Sequence, residues 1–250
     1  MSESTLPILS LDEPEMYAIA CAAALFGGLI RGFVGFGGAS TLVLVLTQFY
    51  DPTSVIARVA VIDLFANFRL LPTTWKEIEW RTAAPVTIAT CLAMPLGIWV
   101  LIVADPVIMK RGIAAVVAVS TLALLSGRRF SAPATLPVLI GIGVVTGVIL
   151  GASMVALTFM IFVYALPLTA AVSRATGILW GFFVSLAMIV IFMVTGDLTW
   201  IDLVRGGLVG LVFLGGAWVG SNVFRRVNED LFRRIVLIFL LVLSIIGMVT

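Results

Sequence analysis

The 250-residue chain has no histidine. That removes imidazole acid–base catalysis, histidine-ligated metal centres and Ser–His nucleophile pairs. Charge is scarce as well. Asp, Glu, Lys and Arg make up 11% of the residues, where a soluble domain carries about 25%. The net charge of +2 comes from basic residues scattered over short loops, so no basic face for nucleic acid is expected. Only two cysteines are present, Cys21 and Cys91, both inside apolar runs. They read as small core residues rather than a disulfide or redox pair. No cofactor, metal site or nucleotide fingerprint is expected, because the Gly-x-Gly at 35–37 follows no strand.

What fills the sequence is hydrocarbon. Apolar residues reach 62% and the mean hydropathy is +1.22. One folded core cannot hide that much apolar surface from water, so the bilayer is the expected solvent. Apolar runs fall at roughly 16–50, 54–71, 83–103, 108–126, 134–165, 168–194, 203–223 and 234–250. A crossing helix needs about 20 apolar residues. Six runs fit one helix each. The first and fifth are too long for a simple crossing and are broken by small residues, at Arg31–Ser40 and at Thr146–Ser153. The segment 1–15 holds four acids and no Lys or Arg, so no cleaved signal peptide is expected there and it reads as an exposed lead.

The two halves match in order. Gly38-Ala-Ser40 corresponds to Gly151-Ala-Ser153, Pro52 and Arg58 to Pro167 and Arg174, Gly97-Ile-Trp-Val100 to Gly216-Ala-Trp-Val219, and Lys110-Arg111 to Arg233-Arg234. A duplication follows, with repeats at 16–126 and 134–250. Basic residues then separate two topologies. If all eight runs cross, the loops carry six and five basic residues on the two sides. If runs one and five are re-entrant hairpins, nine basic residues share one side against two on the other. The second arrangement obeys the positive-inside rule. The expected fold is therefore an all-α polytopic membrane protein forming a single transporter domain. It has two homologous, inverted halves, each with a broken or re-entrant first helix followed by three transmembrane helices. Both termini are expected outside. Long unwound helices that cross fully are the rival geometry for runs one and five.

Broken backbone at membrane depth survives only where protein or a water-filled cavity satisfies its polar groups. The expected substrate-binding residues are Gly37, Gly38, Ala39 and Ser40 in the first break and Gly151, Ala152 and Ser153 in the second. Free N–H groups there favour an anion. The competing role for these glycines is close helix packing. Arg58 and Arg174 lie inside apolar runs at corresponding positions, and their guanidinium forks suit oxoanions as ligands or gates; the competing roles are snorkelling to headgroups or a purely structural ion pair. Asp63 and Asn67, one turn apart, are expected to couple or pair charge. Asp63 either neutralises Arg174 or Arg58 or carries a coupling proton. Arg31, beside the first break, either guards the pathway mouth or touches lipid. The stripe Gly206, Gly207, Gly210, Gly215, Gly216 and Gly220 permits close helix approach, more often within a chain than between subunits.

The stretch Gly32-Phe-Val-Gly-Phe-Gly-Gly38, the Pro-then-Arg start of the next helix and the weaker repeat after Thr146 resemble the sulfite exporter TauE/SafE family. The resemblance covers nearly the whole chain, with Ala39 departing from the usual run of glycines. It implies an inner-membrane permease for sulfur-containing anions such as sulfite or small organosulfonates, and no enzyme. The expected partners are a small anion and the bilayer, with a homodimer as a further option. The rival functions are an anion channel, an importer or exchanger of another small organic anion, and an intramembrane enzyme.

Overall fold

The computed structural model describes residues 14–34, 37–126, 133–224 and 229–249. The lead at 1–13, Gly35 and the basic residues Arg128, Arg129, Arg225 and Arg226 lie outside the described residues. Everything regular in the described residues is helical, with no strand. The ten helices are α1 (Pro14–Val34), α2 (Gly38–Leu46), α3 (Pro52–Thr74), α4 (Trp80–Val103), α5 (Pro106–Leu125), α6 (Leu136–Ser153), α7 (Leu157–Ala165), α8 (Ala170–Thr195), α9 (Trp200–Phe224) and α10 (Glu229–Val249).

Local chemistry explains where the helices begin. Asp51 and Asp105 cap α3 and α5, each followed by a proline in the first turn, where its missing N–H is harmless. Thr169 accepts from the Val172 N–H at 3.3 Å and starts α8. At α9, Thr199 and Asp202 cap each other: the Thr199 N–H donates to Asp202 Oδ2 at 2.9 Å, and the Asp202 N–H donates to Thr199 Oγ1 at 3.4 Å. Gly196, with φ of 87°, closes α8 in the left-handed region that a Cβ disfavours.

Among the described residues, five helices are long and apolar enough to cross a bilayer: α4, α5, α6, α8 and α9. Their outward faces carry Leu92, Trp99, Val103, Val119, Val194, Val204 and Trp218, all largely exposed. A surface this apolar is a lipid surface, and the chain is a multi-pass membrane protein. Helix α3 is 23 residues long but carries Arg58, Asp63 and Arg69, and it runs through the middle of the molecule. Val55 to Ile62 are buried along it except for Arg58, which is half-buried. It packs on α8 and α9.

The pairings are regular. Helix α1 lies against α9, α4 against α6, α3 against α8 and α5 against α10. Glycines set the first two contacts. A side chain on Gly28 or Gly32 would strike the carbonyls of Phe213 or Ala217, and one on Gly216 or Gly220 would strike those of Leu25 or Leu29. In the α4–α6 seam, Gly97, Gly147 and Gly151 face the carbonyls of Val148, Thr90 and Met94 in the same way. The glycine stripe at 216–220 is thus consumed inside the chain.

Both long runs are broken, as expected, but the second break is displaced. Gly147–Gly151 is regular helix. The chain leaves α6 only at Met154, whose φ of 54° is left-handed, and re-enters helix at Leu157. The expectation of non-helical backbone at Gly147–Gly151 is therefore corrected. Those glycines are small because α4 crosses there, and the helix runs on through them. The first break falls at Gly37, which precedes α2 with φ of 85°. Beyond it α2 doubles back along α1: a side chain on Gly38 would meet Arg31 Cβ, and Leu42 lies opposite Gly27.

Candidate functional site

In the interior, a side chain from the start of α7 reaches the residue that caps α2. A Cβ on Gly37 would lie 3.9 Å from Cδ2 of Leu157, the first residue of α7, and 3.8 Å from Leu240 of α10. Gly37, Gly38, Ala39 and Ser40 are all buried. Thr41 makes the first backbone bond of α2, donating to the Gly37 carbonyl at 2.9 Å. The N–H groups of Gly38, Ala39 and Ser40 precede that bond and have no helical acceptor. Ser40 Oγ is fully buried and has no hydrogen-bond partner among the described residues.

Arg31, near the end of α1, reaches from this break to the centre of α3. Its Nη1 donates to Asp63 Oδ1 at 2.6 Å and its Nη2 to Asn67 Oδ1 at 2.5 Å. Asn67 Nδ2 donates to Asp63 Oδ2 at 2.7 Å, and Ser185 Oγ from α8 donates to the same oxygen at 3.1 Å. One carboxylate thus accepts from three side chains on α1, α3 and α8. Arg31 Nε is buried and has no partner among the described residues. Asp63 therefore pairs with Arg31, not with Arg58 or Arg174. The physical reason is position: Arg31 reaches the middle of α3 from α1, whereas Arg58 lies at the start of α3 and is held by Asp202.

Arg58 is engaged elsewhere. Its Nη2 lies 2.9 Å from Asp202 Oδ1, its Nε donates to the same oxygen at 3.1 Å, and its Nη1 donates to the Ser54 carbonyl at 3.1 Å. This joins the starts of α3 and α9. Arg174 is exposed and has no ion-pair partner among the described residues. Measured from the helix starts, Arg58 is the seventh residue of α3 and Arg174 the fifth of α8. Ser153 is satisfied locally, donating to the Ile149 carbonyl at 2.6 Å and accepting from the Val155 N–H at 3.3 Å, which caps the end of α6. Gly151 is buried in the α4 seam and Ala152 is half-buried beside it.

The other half offers a different environment at the core. Trp180 Nε1 donates to Thr90 Oγ1 at 3.0 Å, Thr146 lies 3.4 Å from that hydroxyl, and Phe159 stacks flat on Trp180 at 3.8 Å. No charge enters this cluster. An open groove of about 410 Å³ between α3 and α9, lined by Phe65, Trp200, Leu203, Val204 and Leu211, is almost wholly apolar and has nothing to hold an anion. No group of three or more metal-ligating side chains occurs among the described residues.

Arg31, Ser185 and Asp202 are the participants that sequence reasoning left out of the expected site. Arg31 had a signal: a carboxylate in an apolar run needs a cation, and Arg31 borders the break. Ser185 and Asp202 are 122 and 144 residues from their partners and had none.

The family model described as sulfite exporter TauE/SafE matches residues 20–246. The chain belongs to that family. The match runs from α1 to near the end of α10, so it takes in both broken runs and the Arg31–Asp63 cluster. No curated protein and no solved structure matches this TauE/SafE chain.

Proposed function

We propose that this TauE/SafE protein is a secondary transporter that exports a small sulfur-containing oxoanion, sulfite or an organosulfonate, across the bacterial inner membrane. The observation that carries the reading is the buried start of α2 in the protein interior, beside Arg31 and touched by Leu157 at the start of α7. Helix starts favour anions through free N–H groups and the aligned backbone dipoles, and an interior arginine is an anion ligand or an ion pair. No nucleotide-binding motif is present in the sequence, so gradients or the membrane potential drive the flux. Expelling one negative charge from a negative-inside cell is favourable by about 2.3 kcal/mol per 100 mV.

The packing pattern supports inverted repeats. Exchange of the halves, α1–α5 for α6–α10, turns the α1–α9 contact into α6–α4 and the α3–α9 contact into α8–α4. It leaves α3–α8 and α5–α10 as self-paired contacts. In this arrangement α1–α2 and α6–α7 are the re-entrant or broken elements, and the site lies between them. Registering the halves by helix boundaries pairs Gly32 with Gly151, not Gly38 with Gly151. Both glycines of the new pair are helix-crossing positions. The positive-inside arrangement puts Arg69, Lys76 and Arg81 in the cytoplasm and both termini in the periplasm.

Purified protein in liposomes tests the function. Sulfite or ethanesulfonate flux should saturate and should be accelerated by the same anion on the opposite side. Flux that rises linearly with concentration and lacks counterflow identifies a channel instead.

A further inference from the structure

We propose that Arg31, not Arg58 or Arg174, is the guanidinium that holds the transported anion, and that the charge around it selects monoanions. The inference rests on the transport reading above and names the ligand chemistry of its site. Three sets of donors without partners border the first break. Arg31 Nε is buried and unsatisfied among the described residues, while both Nη atoms are engaged by Asp63 and Asn67. Ser40 Oγ is fully buried and likewise unsatisfied. Ser40 is the third residue of α2, and a helical side chain leans toward its own N-terminus, so the hydroxyl points back to the helix start. The N–H groups of the first turn of α2 are the third donor. Gly38 at that start packs against Arg31 Cβ, which places the guanidinium stem beside those amides.

Buried donors without acceptors are costly, and native proteins keep few of them. An oxoanion supplies the missing acceptors: one oxygen to Arg31 Nε, another to Ser40 and the α2 amides. Asp63 and Asn67 are positioning residues. They hold both Nη groups of the guanidinium and leave Nε without an acceptor.

The charge balance then discriminates. Arg31 and Asp63 cancel each other. The starts of α2 and α7 each present about half a positive charge, and the side chain of Leu157, at the start of α7, reaches the backbone of Gly37. A monoanion therefore neutralises the site, whereas a dianion leaves a buried negative charge that the interior disfavours. Sulfonates and hydrogensulfite fit; sulfate does not.

Titration calorimetry on the purified protein in nanodiscs, with ethanesulfonate, sulfate and acetate as probes, tests this. Wild type should bind ethanesulfonate at least tenfold tighter than sulfate. Ser40→Ala removes an unpartnered hydroxyl, so it should leave the melting temperature unchanged while weakening ethanesulfonate about five- to tenfold. Arg31→Lys should weaken it about ten- to a hundredfold. Asp63→Asn leaves Arg31 uncancelled and should close or reverse the gap between the two anions. Unchanged ethanesulfonate affinity in Ser40→Ala overturns the site even if Arg31→Lys does not fold. A wild-type preference for sulfate, or an Asp63→Asn protein with the wild-type preference, overturns the charge rule. Binding of acetate but not ethanesulfonate, lost in Ser40→Ala, upholds the site and removes the sulfur-anion function. Binding of no probe overturns both.

Discussion

Asp202 illustrates how one side chain can serve two contacts. One of its oxygens closes the cap of α9 with the Thr199 N–H and hydroxyl, and the other takes Arg58. Asp202→Ala removes both. A lost cap costs about 1 kcal/mol, and leaving a mostly buried guanidinium unpaired costs about 1–3 kcal/mol more. Apparent melting in detergent should fall clearly. Asp202→Asn retains an oxygen for the cap and should fall about half as far. Equal melting of the two variants would show that the cap contributes nothing and that the Arg58 pair alone matters; wild-type melting of Asp202→Asn would show that the charge on Asp202 contributes nothing to stability. The sequence could place Asp202 just before an apolar run, but nothing local tied it to an arginine 144 residues away.

At the scale of the helix, the two breaks were legible as chain interruptions, but only the first was correctly positioned. The first break holds glycine at the turn itself: Gly37 takes φ of 85°, which favours glycine. In the second run the turn residue is Met154 in the same left-handed region, an uncommon residue there that no pattern announces. The conspicuous glycines before it, Gly147 and Gly151, serve the contact with α4 instead. Glycine in an apolar run signals either a turn or a crossing, and only the partner helix decides which. The distinction makes a prediction. Gly151→Leu forces a side chain into the Met94 carbonyl, so it should deplete folded protein rather than yield a folded, inactive one. Gly141→Ala, on the same helix with open space around it, should be neutral or stabilise by up to about 1 kcal/mol. Size-exclusion profiles of the two proteins check this, and a monodisperse Gly151→Leu protein would contradict the seam. The order of helices and the apolar core of α3 were readable from run lengths. For the Arg31–Asp63 pairing the sequence held only the need of a buried carboxylate for a cation; which arginine supplies it is set by tertiary packing.

The whole molecule should also show which way its faces point. With Cys21 and Cys91 replaced by alanine, a cysteine at Lys76 should react with impermeant reagent only from the cytoplasm, and one at Val107 only from the periplasm. Both sites are exposed, and the nine-to-two basic asymmetry sets the direction. Reversed labelling would invert the molecule and with it the export direction.

The two ends of the molecule are not equivalent, and that asymmetry bears on the transport cycle. Arg58 locks α3 to α9 through Asp202. At the starts of α8 and α4, Arg174 and Glu79 are both exposed, and Glu79 instead accepts from the Thr82 hydroxyl at 3.2 Å. The two helices already touch there through Ala83, Ala175 and Leu179. Alternating access requires that one end open as the other closes. The expectation is that Arg58–Asp202 releases when Arg174 closes on Glu79. A surface pair is worth little alone, about 0–1 kcal/mol, so the mostly buried Arg58–Asp202 pair should dominate the resting equilibrium. Spin labels at Thr53 and Ile201 should report one main distance in the free protein. Asp202→Asn should add a second, longer population, while labels at Val172 and Lys76 shift to a shorter one. Transport in the same variant should lose its apparent affinity on one side of the membrane only. If Asp202→Asn changes neither distance, the ion pair is a static brace between α3 and α9, and the gate must lie in the broken helices themselves.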